Sequence, residues 1–370
     1  MPRPKSGQNF CDINKRMTNL LRVSLDIGDK DPTNHPRFKN TVESIKSFSK
    51  LNNKLVVIAH YKRPGGKYIA NLSLKRFVPY LEKSLGKKII FLDNPRSAGD
   101  AIASSKNGSV FLLENIRFFK GETGNDKTFI KLLSSLGDKY INDDFPDAHR
   151  AHASTYGLAK VMSSQMGPHL KEELFRLTHA IHSPRQPAIL ILGGAKADEK
   201  ISIVNKLLGK VNHVLLGGVV ANNLLRARGV NIGKSVYDKK AISFAKKLAN
   251  KEKVVTPLDW TVNKNSVVDI GPYTIAEYKR IISNAKTIIW NGPLGRTENP
   301  LFAKGTQKIA RAIFINKKAH VLIGGGDTLA SISPPKNAKN VFISTGGGAM
   351  LTFLAGKKLP AVEALNKIKR

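Results

Sequence analysis

Residues 321–331 read VLIGGGDTLAS: three apolar residues run into three glycines, then an acid, a hydroxyl residue and a helix-compatible stretch. The pattern is neither the GxxxxGK[ST] phosphate loop nor GxGxxG. It recurs in ILILGGAK (189–196), HVLLGGVVA (213–221) and VFISTGGGAM (341–350). A strand that ends in bare glycine lets the backbone come close to a phosphate. The helix that follows offers unpaired N–H groups and its positive dipole end. One such turn says little, because strand-to-helix connections use glycine anyway. Four in one half of the chain point to a nucleotide site at the carboxyl ends of parallel strands.

Working outward, short β-branched or aliphatic runs alternate with amphipathic stretches along the whole chain. Strands are expected at 19–27, 54–60, 88–92, 110–114 and 138–142, then at 187–192, 212–216, 286–290, 319–323 and 340–344. Between them lie helical patterns such as RFKNTVESIKSFSK (37–50), AISFAKKLANKEK (241–253) and LFAKGTQKIARAIF (301–314). Continuous apolar strands alternating with helices predict parallel sheets covered on both faces. The expected fold is therefore α/β: two doubly wound, parallel-sheet, Rossmann-like domains with a substrate cleft between them. GPHLKEELFRLTHAIHSP (167–184) reads as one long helix joining them, so the domains are expected at 1–165 and 166–350.

Bulk properties narrow the class. The chain has 370 residues with 41% hydrophobic content, and no apolar run reaches membrane-spanning length. The start, MPRPKSGQNFCDINKR, has no signal-peptide core, so a soluble cytoplasmic protein is expected. A single cysteine, Cys11, excludes an internal disulfide framework and any cysteine-based metal site. The formal net charge is +34, and both halves are basic: 28 basic against 15 acidic residues in 1–165, and 33 against 12 in 166–370. Two readings fit that charge. One is anionic partners, phosphorylated small molecules or nucleic acid; the other is a lysine-rich composition without a dedicated partner.

The glycine turns carry reactive groups. In LGGAKADEKI (192–201), Lys196 and Lys200 are four apart, which on a helix puts both ammonium groups on one face beside the turn. Asp327 follows the glycines of 321–331, where a carboxylate suits Mg²⁺ bound to nucleotide phosphates; an N-cap role for Asp327 or Thr328 is the rival. The first half instead places Arg22, Arg37, His60, Arg63, Arg117 and Arg150 near strand ends. Converging guanidinium forks would hold a small, doubly anionic substrate. HRAH (149–152) is a poor metal site, with two histidines three apart and no cysteine or HExxH nearby.

With those stretches in view, the chain closely resembles phosphoglycerate kinases. The match runs in order through LLENIRFF (112–119), INDDFPDAHRAHAS (141–154), ILGGAKADEKI (191–201), TIIWNGPLG (287–295), IGGGDT (323–328) and STGGGAML (344–351). The resemblance implies reversible phosphoryl transfer between 1,3-bisphosphoglycerate and Mg·ADP, giving 3-phosphoglycerate and Mg·ATP, by a monomer without an obligate protein partner. It implies that Arg37 stabilises the transferring group, while His60, Arg63, Arg117 and Arg150 hold the phosphoglycerate. Lys196 and Lys200 would meet the nucleotide phosphates and the moving charge. Gly193, Gly194, Gly217 and Gly218 would form the nucleoside-side turns, Asn291 and Glu298 would contact the nucleotide, and Glu298 would hold its ribose. Gly325, Gly326, Asp327 and Thr328 would surround the phosphates, with Asp327 on Mg²⁺. The amides of Gly346, Gly347 and Gly348 would open a helix toward the transition state. The segment 351–370 would return to the first domain.

This sequence departs from the family pattern in places. RVSLDIG (22–28) has Ser24 where a substrate-binding aspartate is expected and Asp26 where asparagine is expected. On a strand, residues 24 and 26 point to one side, so the carboxylate has shifted along the face and Asp26 is expected to take over part of the role. HYKRP (60–64) replaces the usual HLGRP, and Lys62 is expected to face water. A binding protein with the kinase fold but no turnover is the competing reading, motivated by Ser24. Non-specific nucleic-acid binding, motivated by the charge, is a possible side activity.

Overall fold

The computed structural model describes residues 17–28, 31–49, 52–335 and 338–366; Cys11 lies outside them. The chain divides into two compact units. Unit 1 comprises residues 1–144, 151–168 and 364–370, and unit 2 comprises 145–150 and 169–363.

Unit 1 is built on six strands: β1 (Thr18–Arg22), β2 (Lys54–Ile58), β3 (Ile89–Leu92), β4 (Val110–Leu113), β5 (Lys139–Asn142) and β6 (Ser164–Met166). They are ordered β3-β4-β2-β1-β5-β6 and every pair is parallel. The central strands are apolar without interruption because helices cover both faces; all four residues of Val110–Leu113 are buried. Helix Pro36–Ser49 buries Phe38, Thr41, Val42 and Ile45, a helical stripe three and four residues apart that packs into the core with Leu21, Val57 and Leu112. Each such aliphatic side chain contributes about 1.5–3 kcal/mol by leaving water.

Unit 2 holds β7 (Ala188–Leu192), β8 (His213–Leu216), β9 (Val254–Val255), β12 (Thr287–Asn291), β13 (His320–Gly324) and β14 (Val341–Ile343) in one parallel sheet. Between β9 and β12 lies an antiparallel hairpin, β10 (Trp260–Asn263) and β11 (Ser266–Ile270). The sheet order is β14-β13-β12-β7-β8-β9. In chain order the path runs outward from β7 to β9, then restarts at β12 on the other side. That is the doubly wound order, with its switch point between β7 and β12. Trp290 is fully buried in the core beneath this point, packed with Ile189, Ile288 and Ile323.

The ten strands expected from the sequence are all present, and 167–184 forms helix Pro168–His182. Two differences bear on the site. The first strand ends at Arg22, not at residue 27. The hairpin and the short strands β6 and β9 were not anticipated, because strands of two or three residues carry little apolar pattern and the first strand of the hairpin is largely exposed. No helix among the described residues is long and apolar enough to cross a membrane.

Arg22 explains the early end of β1. Its guanidinium is fully buried, pairs with Asp144 Oδ2 at 2.7 Å and donates to Ser154 Oγ at 3.0 Å. It also donates to its neighbour's carbonyl, Val23 O, which a continuing ladder would need. Arg22, expected among the anion-binding arginines, is thus a structural hub. Breaking one half of a buried ion pair leaves the other charge unpaired, at a cost of about 3–5 kcal/mol. Arg22→Met should lower the unfolding free energy by about that amount in denaturant titration. A loss under about 1 kcal/mol would show that Asp144 is otherwise solvated.

Candidate active site

In unit 1 the expected residues gather where β1, β2 and β4 end. After β1 the chain makes a tight turn, with Ile27 N–H donating to Leu25 C=O at 2.9 Å. The argument from strand alternation therefore does not hold: Ser24 and Asp26 lie past the strand. Ser24 is buried and its Oγ has no hydrogen-bond partner among the described residues. Asp26 is one-third exposed and organises its neighbours. Its Oδ1 accepts from the Lys62 amide at 3.0 Å, its Oδ2 lies 3.6 Å from His60 Nε2, and its backbone carbonyl accepts from Arg37 at 2.6 Å. Burial alone would raise its pKa. The hydrogen bond and charge of His60, the Lys62 amide and the Arg37 charge outweigh that and hold the carboxyl well below the usual range.

His60 is buried, and its Nδ1 sits 2.9 Å from an Arg22 nitrogen that can only donate. Nδ1 is therefore the acceptor, and the ring proton sits on Nε2, facing Asp26. Arg37 stands in the first turn of helix Pro36–Ser49, and that turn has no acidic residue. A cation at the positive end of a helix is unfavourable by about 0.3–1 kcal/mol until an anion arrives.

Lys62 corrects another expectation. It is half-buried, and its backbone takes a φ of 55°, the left-handed conformation that glycine adopts freely and other residues rarely do. The resemblance places glycine at this position. Here two hydrogen bonds hold the lysine: its N–H to Asp26 Oδ1, and its C=O from Arg117 at 2.9 Å. The two departures, at residues 26 and 62, are thus one coupled feature. Asn115 secures the same loop, donating to Tyr61 O at 2.8 Å and Leu72 O at 2.9 Å. Glu114 accepts from Ser73 Oγ and the Leu74 amide. The EN pair of LLENIRFF serves this loop, a task invisible in the sequence because both contacts are distant in the chain. Arg63 is exposed beside the cluster. Arg150 belongs to unit 2, where its Nε is 3.4 Å from Asp147.

In unit 2 the glycine turns all follow the carboxyl ends of strands, and they are knitted together at the switch point. Gly193 N–H donates to Asn291 O and Gly194 N–H to Pro293 O. Gly193 has to be bare because a Cβ there would lie 2.0 Å from Pro293 O; a Cβ on Gly217 would strike Leu294. These two glycines serve the packing of one turn on the next. Gly325, with a φ of 104°, serves conformation as well as space. Gly326 has open space where a side chain would be, and a Cβ on Gly347 would come no nearer than 3.5 Å to its neighbours, Gly325 first. Gly346 N–H already donates to Ser344 Oγ at 3.3 Å, and helix Gly347–Leu354 starts just after it. Trp290 Nε1 donates to Gly292 O, and Gly292 N–H donates to Thr328 Oγ1 at 2.7 Å, so the Thr328 hydroxyl braces the turn. Asn291 is buried, and its side-chain NH₂ has no hydrogen-bond partner among the described residues. It points toward Gly325 and is a donor in waiting.

Lys196 and Lys200 do not share a helix face. Helix Ala197–Leu207 begins one residue later, so Lys196 is its N-cap, exposed and 3.6 Å from Glu199. Lys200 turns inward and donates to Gly193 O. Burial lowers its pKa to about 8; Asp327 and Glu199 raise it in part, and Lys196 lowers it further. Beside it a cavity of about 270 Å³ is lined by Gly194, Gly218, Asp327 and, at the exposed edge, Glu298. Its walls are largely apolar: Val219, Leu225, Val236, Trp260 and Leu294. None of these was expected from the sequence, and the wall from the β10–β11 hairpin had no signal that could have revealed it. Asp269 also lines the cavity; burial raises its carboxyl to about 6 despite amide bonds from Gly305 and Ile270. A largely apolar cavity next to a buried ammonium, bare glycines and an exposed carboxylate suits a base joined to phosphates.

Known proteins resemble this chain along nearly its whole length. The family model described as phosphoglycerate kinase matches residues 13–357. The chain is 38% identical over 375 residues to a phosphoglycerate kinase of Dictyoglomus turgidum, covering 94% of each chain. It is 36% identical over 398 residues to one of Sinorhizobium fredii, covering 99% of each. Among solved structures, phosphoglycerate kinase from Coxiella burnetii superposes with a TM-score of 0.81 at 31% identity, over 96% of this chain and 97% of that one. The enzyme from Pyrococcus horikoshii gives 0.83 at 29% identity, over 95% and 96%.

The depressed pKa of Lys200 is a stability cost with a defined pH range. The ordinary lysine value is 10.5, so below about 8 the ammonium is charged in both states and is penalised only when folded. The penalty fades as pH rises from 8 to 10.5, where both forms become neutral. Lys200→Met should therefore raise the unfolding free energy by about 1–3 kcal/mol at pH 7, with the gain shrinking toward pH 10.5. A gain that does not vary with pH would mean that the ammonium is not desolvated.

Proposed function

The chain belongs to the phosphoglycerate kinase family, and on that premise we infer how its own residues carry the family's reaction. The enzyme is a phosphotransferase with a carboxyl acceptor. It moves a phosphoryl group reversibly between 1,3-bisphosphoglycerate and ADP, yielding 3-phosphoglycerate and ATP. The acceptor carboxylate is already ionised at neutral pH, so no general base is needed. Positioning and charge stabilisation remain as the tasks of the protein.

In this reading unit 1, the span expected as a domain at 1–165, binds the phosphoglycerate, and unit 2, expected at 166–350, binds the nucleotide. Arg37 meets the charge on the transferring group; its place at an acid-free helix start supports that role. His60 offers Nε2–H, and Arg63 and Arg117 supply guanidinium charge. Ser24, with its buried hydroxyl, hydrogen-bonds the substrate, and Asp26 keeps His60 and the Lys62 amide in place. Arg150 is carried over by resemblance alone. On the nucleotide side Lys196 and Lys200 neutralise phosphate, Gly194, Gly218, Gly326 and the Gly347 amide give the phosphates room and donors, and Asn291 adds its NH₂. Glu298 takes the ribose. Gly193, Gly217, Gly325, Gly346 and Thr328 hold the turns in shape. Asp327 is an exposed carboxylate, near enough to Lys200 to raise its pKa, and hard oxygen donors of this kind fit Mg²⁺ shared with phosphates. The metal, when bound, spreads the negative charge of the phosphates. The reading places the enzyme in the cytoplasm with its glycolytic substrates and gives it no obligate protein partner.

Lys200 is the observation that carries this reading: a buried ammonium at the switch point, held at reduced pKa and waiting for anionic charge. The test is ATP consumption dependent on 3-phosphoglycerate with Mg²⁺ present. The wild type should turn over, and Arg37→Ala should lose about 10²–10³-fold in kcat. Nucleotide binding without turnover in the wild type would favour the non-catalytic reading raised by Ser24. Asp26→Ala should raise KM for 3-phosphoglycerate by about tenfold, the order of one charge-assisted hydrogen bond. An unchanged KM would sink the role given to Asp26.

A further inference from the structure

The edge of the unit 2 sheet opposite the candidate site carries a second concentration of charge, which the kinase reaction does not use. A groove of about 530 Å³ opens where β12, β13 and β14 begin. Among the described residues it is lined by Arg176, Arg185, Lys286, Lys317, Lys318 and Lys339, with His179 and His320 among them and no carboxylate. A second groove of about 710 Å³ adjoins it through Lys317 and Lys318 and adds Lys279, Lys308 and Arg311, again with no acid among the described residues. All nine cations are exposed.

Cations at this edge have one ordinary use. Helices Pro168–His182, Pro272–Asn284 and Lys304–Ile315 end here, and lysines complement their negative ends. Three helix ends amount to roughly −1.5 charges, far short of nine cations. Arg176 has a carboxylate partner, Glu172, at 2.7 Å. The potential that remains is felt at His320. Burial lowers its pKa, and the charges of Arg185, His179 and Arg176 lower it further. Arg185 donates to His320 Nε2 at 3.1 Å, so this imidazole is an acceptor and adds no charge of its own.

We propose that these two adjoining grooves form a binding track for a linear polyphosphate chain on unit 2. The shape is extended, since Lys317 and Lys318 line both grooves, and it suits an anion with a charge on every repeat rather than one compact ligand. The lining argues against a base-carrying strand, which needs open aromatic faces for stacking. Phe342 is the one phenyl ring lining the grooves among the described residues, and Arg176 lies over it at 5.7 Å; His179 stacks on Phe175 with centroids 6.2 Å apart. What the track offers is ammonium and guanidinium groups, and these recognise phosphate oxygens whatever the chain carries.

The test is fluorescence anisotropy with labelled long-chain inorganic polyphosphate and with a single-stranded RNA homopolymer carrying the same number of phosphates. The full-length protein should bind polyphosphate more tightly than the RNA, and its affinity should fall steeply with salt as counterions are released. Lys317→Glu with Lys318→Glu, at the junction of the grooves, should weaken binding at least about tenfold and flatten the salt dependence, each lost contact removing roughly 0.7 from the log–log slope. Arg185→Ala with Lys339→Ala, confined to one groove, should have a smaller effect in the same direction. Kinase turnover should be unchanged in both, which also reports that they fold, and one folded pair suffices for the test. Equal or tighter RNA binding lost in the same variants would overturn the proposal in favour of nucleic acid. Binding that survives in the folded variants would overturn it in favour of diffuse attraction to the +34 charge.

Discussion

Where parallel strands end, their amides and carbonyls lose their ladder partners, and the site follows from how this chain satisfies them. In unit 2 the groups are paired turn against turn: Gly193 with Asn291, Gly194 with Pro293, Gly217 with Leu192, and Gly218 with Leu294. Such close approach leaves no volume for side chains, and the glycines follow from that. Buried polar groups left unpaired would each cost about 1–3 kcal/mol. Trp290 and Thr328 complete the pairing around Gly292. In unit 1 the same need is met by a charged group, the Arg22 guanidinium, anchored on Asp144.

Against that well-satisfied background, a few groups stand out for being under-served. Lys200 is buried at a lowered pKa, the Asn291 NH₂ and Ser24 Oγ have no hydrogen-bond partner among the described residues, and Arg37 occupies the wrong end of a helix for a cation. Each is a small cost in the free protein, and each would be relieved by a phosphate or hydroxyl placed against it. Stability given up at such positions marks a site more sharply than a cavity volume does.

The coupled pair Asp26 and Lys62 shows how a departure from a family pattern can be absorbed. A lysine in a left-handed conformation is strained, and the Asp26 carboxylate accepts the amide that the strain presents. The same carboxylate faces His60, so a backbone problem and a side-chain orientation are handled by one residue. The excess positive charge is less evenly placed than a count suggests, since nine cations line two grooves at the amino-terminal edge of the unit 2 sheet and, among the described residues, no acid joins them in the lining.

Much of this was legible before any coordinates. Continuous apolar runs and glycine turns determined the parallel sheets and put the candidate site at strand carboxyl ends, because strand burial and backbone approach are local demands written in residue type. Ordered motifs determined the family. What remained for the tertiary structure were the facts that depend on which turns meet. Lys196 and Lys200 looked equivalent by spacing, yet the helix begins between them and one is exposed while the other is buried. Arg22 looked like a ligand for anions and proved to be a hub, because Asp144 and Ser154 are brought to it from across the sheet. Thr328 looks like a phosphate contact in sequence, and Gly193 and Gly217 like nucleoside-side turns, but the structure engages them in packing one turn on another. The apolar wall of the cavity beside Lys200 comes from a hairpin, a helix and loops far apart in the chain. Residue type records what a position can do, and only the folded contacts decide whether that capacity is already spent.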